Sequence, residues 1–247
     1  MDDERNVIIW ARPEVTGRGK APAYTRGQIA KAAVTLADAH GIEAVSMRHV
    51  AAEIGSGTMS LYRYVHGKDE LHELMVDYVS EPLALPDDLD WRDTLRELAV
   101  RSRQLVLTHP WYPVLEASVA FPGPRVQRAF ESFLAHLDGL GLDIDEMLEI
   151  AQMARSISFY FAQNEMQEEA AIRGTGLDRR HWMLRFGPYV KSVIDSGEFP
   201  YLSRVVIDAR TPHLDADVRF ERIIDRFIAG VAATLPGKPA DPGDDTH

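Results

Sequence analysis

Ser46-Met47-Arg48-His49-Val50-Ala51-Ala52-Glu53-Ile54-Gly55-Ser56-Gly57-Thr58-Met59-Ser60-Leu61-Tyr62-Arg63-Tyr64-Val65 is the stretch whose reading decides the fold. It reads as two short helices joined by a tight turn. Ser46 suits an N-cap, because its hydroxyl can accept a first-turn N–H that has no partner within the helix. Val50, Ala51 and Ile54 lay an apolar stripe along one face. Gly55 ends the helix, since glycine enters the left-handed conformation without a Cβ penalty. Thr58 is placed to cap the second helix, whose inner face carries only Leu61 and Val65. The remainder is Met59, Ser60, Tyr62, Arg63 and Tyr64, with His66 and Lys68 just beyond, and it is too polar for a core element. Ala51, four residues before Gly55, leaves room for two helices to approach, and Leu61, six after it, can plug the angle between them. A buried helical hairpin is the competing reading, and it leaves the polar second helix unexplained.

Outward from this stretch, composition sets bounds. The chain has 247 residues, ample for a core, and no cysteine, which excludes a disulfide scaffold, a thiol nucleophile and a cysteine-bound zinc site. No apolar run approaches the roughly 20 residues needed to span a bilayer, and the acidic start Met1-Asp2-Asp3-Glu4 is unlike a secretory signal. A cytoplasmic protein is expected. The net charge of −11 argues against nucleic acid, but its distribution does not. Arg5 to Lys68 holds nine basic and four acidic side chains, whereas residues 69–247 carry −13. A basic head on an acidic body lets one end approach phosphate.

Upstream, residues 1–24 carry Pro13, Gly17, Gly19 and Pro22 and read as a flexible basic arm. Arg12, Arg18 and Lys20 in it fit a minor groove, and a tail without a role is an equal reading. Trp10, after Val7-Ile8-Ile9, is out of place in such a tail. Thr25 and Gln28 form a capping box for a first helix that Gly41 ends. A fourth helix spans about 68–79. Pro82, Pro86 and Asp87-Asp88 mark a boundary. Helices are then expected over 91–109, 111–120, 125–140, 143–172, 178–195 with a kink at Gly187-Pro188, about 199–209, and 215–235. No stretch shows strand alternation, so the chain is all-α, with a head over 25–80, a larger helical body over 87–235 and a disordered tail over 236–247.

Residues 25–80 resemble the DNA-binding domain of the tetracycline-repressor (TetR) family of transcriptional regulators. The resemblance rests on Ile29-Ala30, Ala33, His40-Gly41, Ser46-Met47-Arg48, Leu61-Tyr62-Arg63-Tyr64-Val65 and Lys68-Asp69-Glu70-Leu71. Ser56-Gly57 departs from it, because the family more often has an apolar residue straight after the turn glycine. The body resembles the tetracycline-repressor-like C-terminal type more loosely, through Trp111-Tyr112-Pro113, Gly123-Pro124 and Tyr201-Leu202. The resemblance implies a ligand-responsive regulator in which the tilt of the fourth helix carries the signal. It also implies a homodimer built on a four-helix bundle, two helices from each chain. Independently, the helices over 143–172 and 215–235 have more apolar face than one core needs.

The residues expected to face base edges are Arg63, Thr58 and Ser60, with Met59 on the same exposed surface. Tyr62, Tyr64, Lys68, Arg48 and Ser46 are expected mainly at phosphates. A pocket for a flat, mostly apolar effector is expected among Trp111, Phe130, Met153, Ile157, Tyr160, Asn164, Trp182 and Phe186, all of which could equally be core. No metal, cofactor or catalytic site is expected. The glycines around Ser56 follow a helix and lack a third partner, and Asp178 and His181 are a lone pair. The reading is a repressor released from a palindromic operator. The rival is an all-α binding protein or enzyme that keeps the fold without specific DNA binding.

Overall fold

The computed structural model describes residues 7–14, 24–209 and 214–236. Among these the regular elements are all helical. The head comprises α1 (Arg26–His40), α2 (Met47–Glu53), α3 (Thr58–Leu61) and α4 (Lys68–Val79). The body comprises α5 (Trp91–Thr108), α6 (Tyr112–Glu116), α7 (Pro124–Leu137), α8 (Ile144–Arg173), α9 (Arg179–Leu184), α10 (Gly187–Ser196), α11 (Pro200–Asp208) and α12 (Ala216–Thr234). Short 3-10 turns lie at Ile9–Ala11, Ile42–Ala44 and Glu81–Leu83.

Local chemistry explains the helix starts. Thr25 and Gln28 close a reciprocal capping box on α1, and Asp143 and Glu146 close another on α8. Each box satisfies amide groups at a helix start that would otherwise lack partners. The helix expected over 178–195 is two helices, α9 and α10, because the chain turns through Arg185 and Phe186 ahead of Pro188. Proline lacks the N–H that would continue the ladder of α9.

Two apolar cores organise the packing. One fills the body between α5, α7, α8 and α12, around Leu95, Phe133, Ile150, Phe220 and Ile224. The other is centred on Ile29, Val50, Leu61, Leu71 and Met75 of the head and runs on into Leu105, Tyr112 and Leu115 of the body. The proline-marked boundary near residue 82 is therefore not a gap in packing. Head and body share a continuous apolar joint, so a displacement in the body is felt by α4. In contrast, α9, α10 and α11 contain no buried residue.

Residues 7–14 do not behave as the flexible arm expected of them. Ile9 is fully buried and belongs to the head core, and Trp10 packs against that core. Arg18 and Lys20 of the expected arm, and residues 237–247 of the expected tail, lie outside the described residues.

Candidate nucleic-acid interface and effector cleft

The hydroxyl of Ser46 accepts the amide of His49 at 3.2 Å and starts α2. Gly55 has φ of +68°, which reverses the chain after α2 and delivers α3. α3 is only Thr58–Leu61, continued by turns in which the amides of Arg63 and Tyr64 donate to Ser60 and Leu61 carbonyls at 3.2 and 2.9 Å. Leu61 and Val65 are fully buried beneath it and fix its inner side. Outward stand Met59, which is 81% exposed, and Ser60, Tyr62, Arg63 and Lys68, with Arg48 on α2 also exposed. Among the described residues Arg63 and Lys68 form no ion pair, so both charges are available to an incoming polyanion.

Two head residues differ from expectation. Gly57, not Thr58, holds the N-cap position of α3, so the half-exposed Thr58 starts the helix without capping it. Tyr64, expected at phosphate, is 7% exposed and packs edge-on against Tyr24 with ring centroids 6.3 Å apart. It follows Leu61 by three residues and so shares the inward face. Tyr24, which the sequence reading left in the arm, also donates its hydroxyl to the Gly55 carbonyl at 3.4 Å and braces the turn.

The joint between head and body is polar as well as apolar. Asp38 of α1 accepts Trp111 Nε1 at 2.7 Å and His109 Nδ1 at 2.8 Å. Asp77 of α4 is 3% exposed and accepts the amides of Arg125 and Val126 at the start of α7, at 2.7 and 3.3 Å. The guanidinium of Arg125 approaches the other carboxylate oxygen at 3.2 Å. Asp77 thus caps a body helix from the head, where a carboxylate suits the positive end of the helix dipole. Burial lowers the pKa of His72 on α4, and Lys68 lowers it further, while Asp69 and Glu43 oppose the shift.

In the body, a cleft of about 1130 Å³ opens between the end of α8, α9, α10, α11 and the start of α12. Trp182, Met183, Phe186, Val205 and Val206 supply its apolar wall, and Glu165, Arg179, Arg180 and Arg219 its polar rim. Arg103 of α5 sits beside it, donating to Glu165 at 2.8 Å and to Asp217 at 2.7 Å, both of which line the cleft. Burial opposes the Arg103 cation, and its hydrogen bonds to Asp217 and Glu165, with their negative charge, outweigh it, so its pKa is held above the ordinary arginine value.

Of the expected pocket residues, Trp182 and Phe186 line this cleft, with rings 5.1 Å apart. The other six do not line it. Trp111 is buried at the head–body joint. Phe130 lies partly exposed on α7. Met153 and Ile157 line a shallow dent on a single face of α8 with Glu149, Gln152 and Ser156. Tyr160 and Asn164 continue that face outward, Tyr160 being 70% exposed. Helical spacing identified an apolar stripe but not what the stripe faces. Glu165, which the sequence did not single out as a cleft residue, lines the cleft and is paired with Arg103. Val205 and Val206 were missed because α11 is short, only Pro200–Asp208, and has no buried face to mark it.

A short polar helix held outward on a glycine turn, above a helical body with an apolar cleft, defines a helix-turn-helix regulator with an effector-binding domain. Comparison with known proteins agrees. The family model described as "Bacterial regulatory proteins, tetR family" matches residues 29–75, and "Tetracyclin repressor-like, C-terminal domain" matches residues 82–235. The HTH-type transcriptional repressor DrrR1 of Streptomyces coeruleorubidus is 35% identical over 230 residues, 91% of this chain and 85% of that protein. An HTH-type transcriptional regulator of Saccharopolyspora erythraea is 32% identical, covering 92% of each chain. The Streptomyces coelicolor TetR family protein ActR, solved in complex with (S)-DNPA, superposes with a TM-score of 0.67 at 25% identity, over 86% of this chain and 99% of that one. The chain belongs to the tetR family of bacterial regulatory proteins and is a ligand-responsive, DNA-binding transcriptional regulator.

Proposed function

We propose that this protein is a homodimeric repressor that grips a two-fold operator through α3 and lets go when an effector fills the cleft behind Trp182. The observation that carries the reading is the separation of two surfaces. The outward surface of α3 and the turn after it carries the exposed side chains of Ser60, Tyr62 and Arg63, and the cleft lies in the body beyond the packed joint. Arg63, Ser60 and Thr58 read base edges, and Arg48, Tyr62 and Lys68 hold phosphates.

The dimer reading rests on apolar surface left uncovered. Met153 and Tyr160 are exposed at helical spacing along the outer face of α8, with Ile157 half-buried between them and the exposed Asn164 one turn on, and Ile223 and Gly230 are exposed on α12. Tyr189, Tyr201 and Leu202 are exposed on α10 and α11. A surface of this kind, spread over four helices of the body, calls for a partner. The stripe that the spacing alone suggested for a ligand thus serves the partner chain.

ActR was solved with (S)-DNPA and, at 24% identity, with actinorhodin. By analogy the cleft here takes a flat, largely apolar effector. At about 1130 Å³ it exceeds the usual range of roughly 300–1,000 Å³ for small-molecule pockets, which favours a large ligand. An effector releases DNA only by binding the released conformation more tightly. The test is titration of actinorhodin and of (S)-DNPA into the protein–operator complex, followed by fluorescence anisotropy. Release of DNA in the wild type and its loss in Trp182→Ala support the reading. Release that is unchanged in Trp182→Ala contradicts the assignment of the cleft.

A further inference from the structure

The segment before α1 reaches two places that a regulator must keep in register. At one end, Trp10 lies against the start of α7. A Cβ added to Gly123 would fall 2.6 Å from Trp10 Cζ2 and 2.4 Å from Asp77 Oδ1. Only glycine permits that approach, so the indole occupies the seam where Asp77 of α4 caps α7. At the other end, the Arg12 guanidinium bonds Glu70 at the start of α4 and the ring of His66, just past α3. Glu70 in turn accepts the His66 amide at 2.7 Å. Between the two ends, Ile9 is sealed in the head core, and Arg26 of α1 donates to the Arg12 carbonyl at 3.0 Å. The side chain of Arg12 is 13% exposed and already engaged.

We propose that Ile9–Arg12 is a positioning strap, with Trp10 and Arg12 fixing the angle of the α3 recognition surface relative to the body and hence the spacing of the two half-sites a dimer can reach. The inference rests on the dimeric operator reading above. It assigns Arg12 a role other than direct contact with DNA, because both terminal nitrogens of its guanidinium are held by Glu70 and His66. The carboxylate that orients it also holds the chain leaving α3, so a shift of the strap moves the exit of the recognition helix. A body displacement at the start of α7 reaches α3 through the strap as well as through α4.

A role confined to stability would lower affinity for every operator alike. A role in positioning changes which spacing is preferred, and that is what the test reads. The DNA is the two-fold site protected by the full-length protein upstream of its own gene, in its native form and with one base pair inserted at the centre. The insertion turns one half-site by roughly a tenth of a helical turn. The wild type is expected to lose about tenfold in affinity, comparable to one mismatched base pair. Trp10→Ala and Arg12→Gln are expected to bind the native site less tightly and to discriminate between the two spacings by less than about threefold. Trp10→Phe, which keeps an aromatic wedge, restores discrimination. Thermal melts of all variants report folding, and the salt dependence of binding separates the rival role of Arg12. As a positioning residue it leaves the slope unchanged, whereas a direct phosphate contact lowers it by about one. Full discrimination in Trp10→Ala, or a lowered slope in Arg12→Gln, overturns the strap while leaving the regulator intact. A wild type that protects no two-fold site overturns both.

Discussion

Arg63 and Lys68 stand on the same exposed surface but are expected to do different work. Arg63 projects from the turn after α3, where a forked guanidinium can meet a base edge, and Lys68 opens α4 as a point charge beside the backbone. Arg63→Ala is expected to cost about 1–3 kcal/mol of operator binding and to relax sequence preference, while Lys68→Ala weakens all sequences and lowers the salt slope by about one. Equal loss of specificity in the two variants, measured by competition with scrambled operators, would remove that division. His72 gives the head a pH dependence. Among the described residues its Nε2 is buried without a partner, and burial together with Lys68 holds its folded pKa below the ordinary 6.5. Between that folded value and 6.5 the unfolded chain takes up a proton that the folded chain does not. Stability therefore falls as pH drops through this window, and His72→Gln is expected to flatten the fall in a series of thermal melts.

At the scale of elements, α3 is too short to stand on its own and depends on its turn and its two plugs, Leu61 and Val65. Gly55→Ala forces a side chain into a left-handed conformation and is expected to cost about 1–2 kcal/mol, seen as a lowered melting temperature and weaker operator binding. Asp77→Ala uncaps α7 from the head and leaves buried amides unpaired, at about 1–3 kcal/mol by denaturant titration. The helix starts and the helix-turn-helix were legible because capping and turn chemistry are local. Thr25, Ser46 and Gly55 announce themselves within four residues of where they act. The cleft was mostly not legible. Met153 and Tyr160 carry the same helical spacing whether they face a core, a ligand or a partner, and spacing holds no information on what lies opposite. Trp182 and Phe186 lay in the cleft, but its wall also needs Val205 and Val206, which sit on a different helix, α11. Tyr64 could have been read inward from its distance to Leu61, and Trp10 was a visible anomaly whose seat, Gly123, is remote in sequence.

For the whole molecule, charge and apolar surface are sorted by place. Basic side chains gather at the head, the acidic excess lies in residues 69–247, and the uncovered apolar faces lie on the body. Tyr160→Glu is expected to leave each chain folded, since the side chain is 70% exposed, yet to shift the protein from dimer to monomer in sedimentation and to abolish tight operator binding. A dimer that persists would move the interface elsewhere. The central claim, that a dimer reads a two-fold operator through α3, is tested most directly by footprinting the protein on DNA upstream of its own gene, with anisotropy at two salt concentrations. Protection of two symmetric half-sites, with binding that survives excess competitor DNA, is the result predicted here. Weak binding equal for all sequences and gone at about 200 mM salt would contradict it.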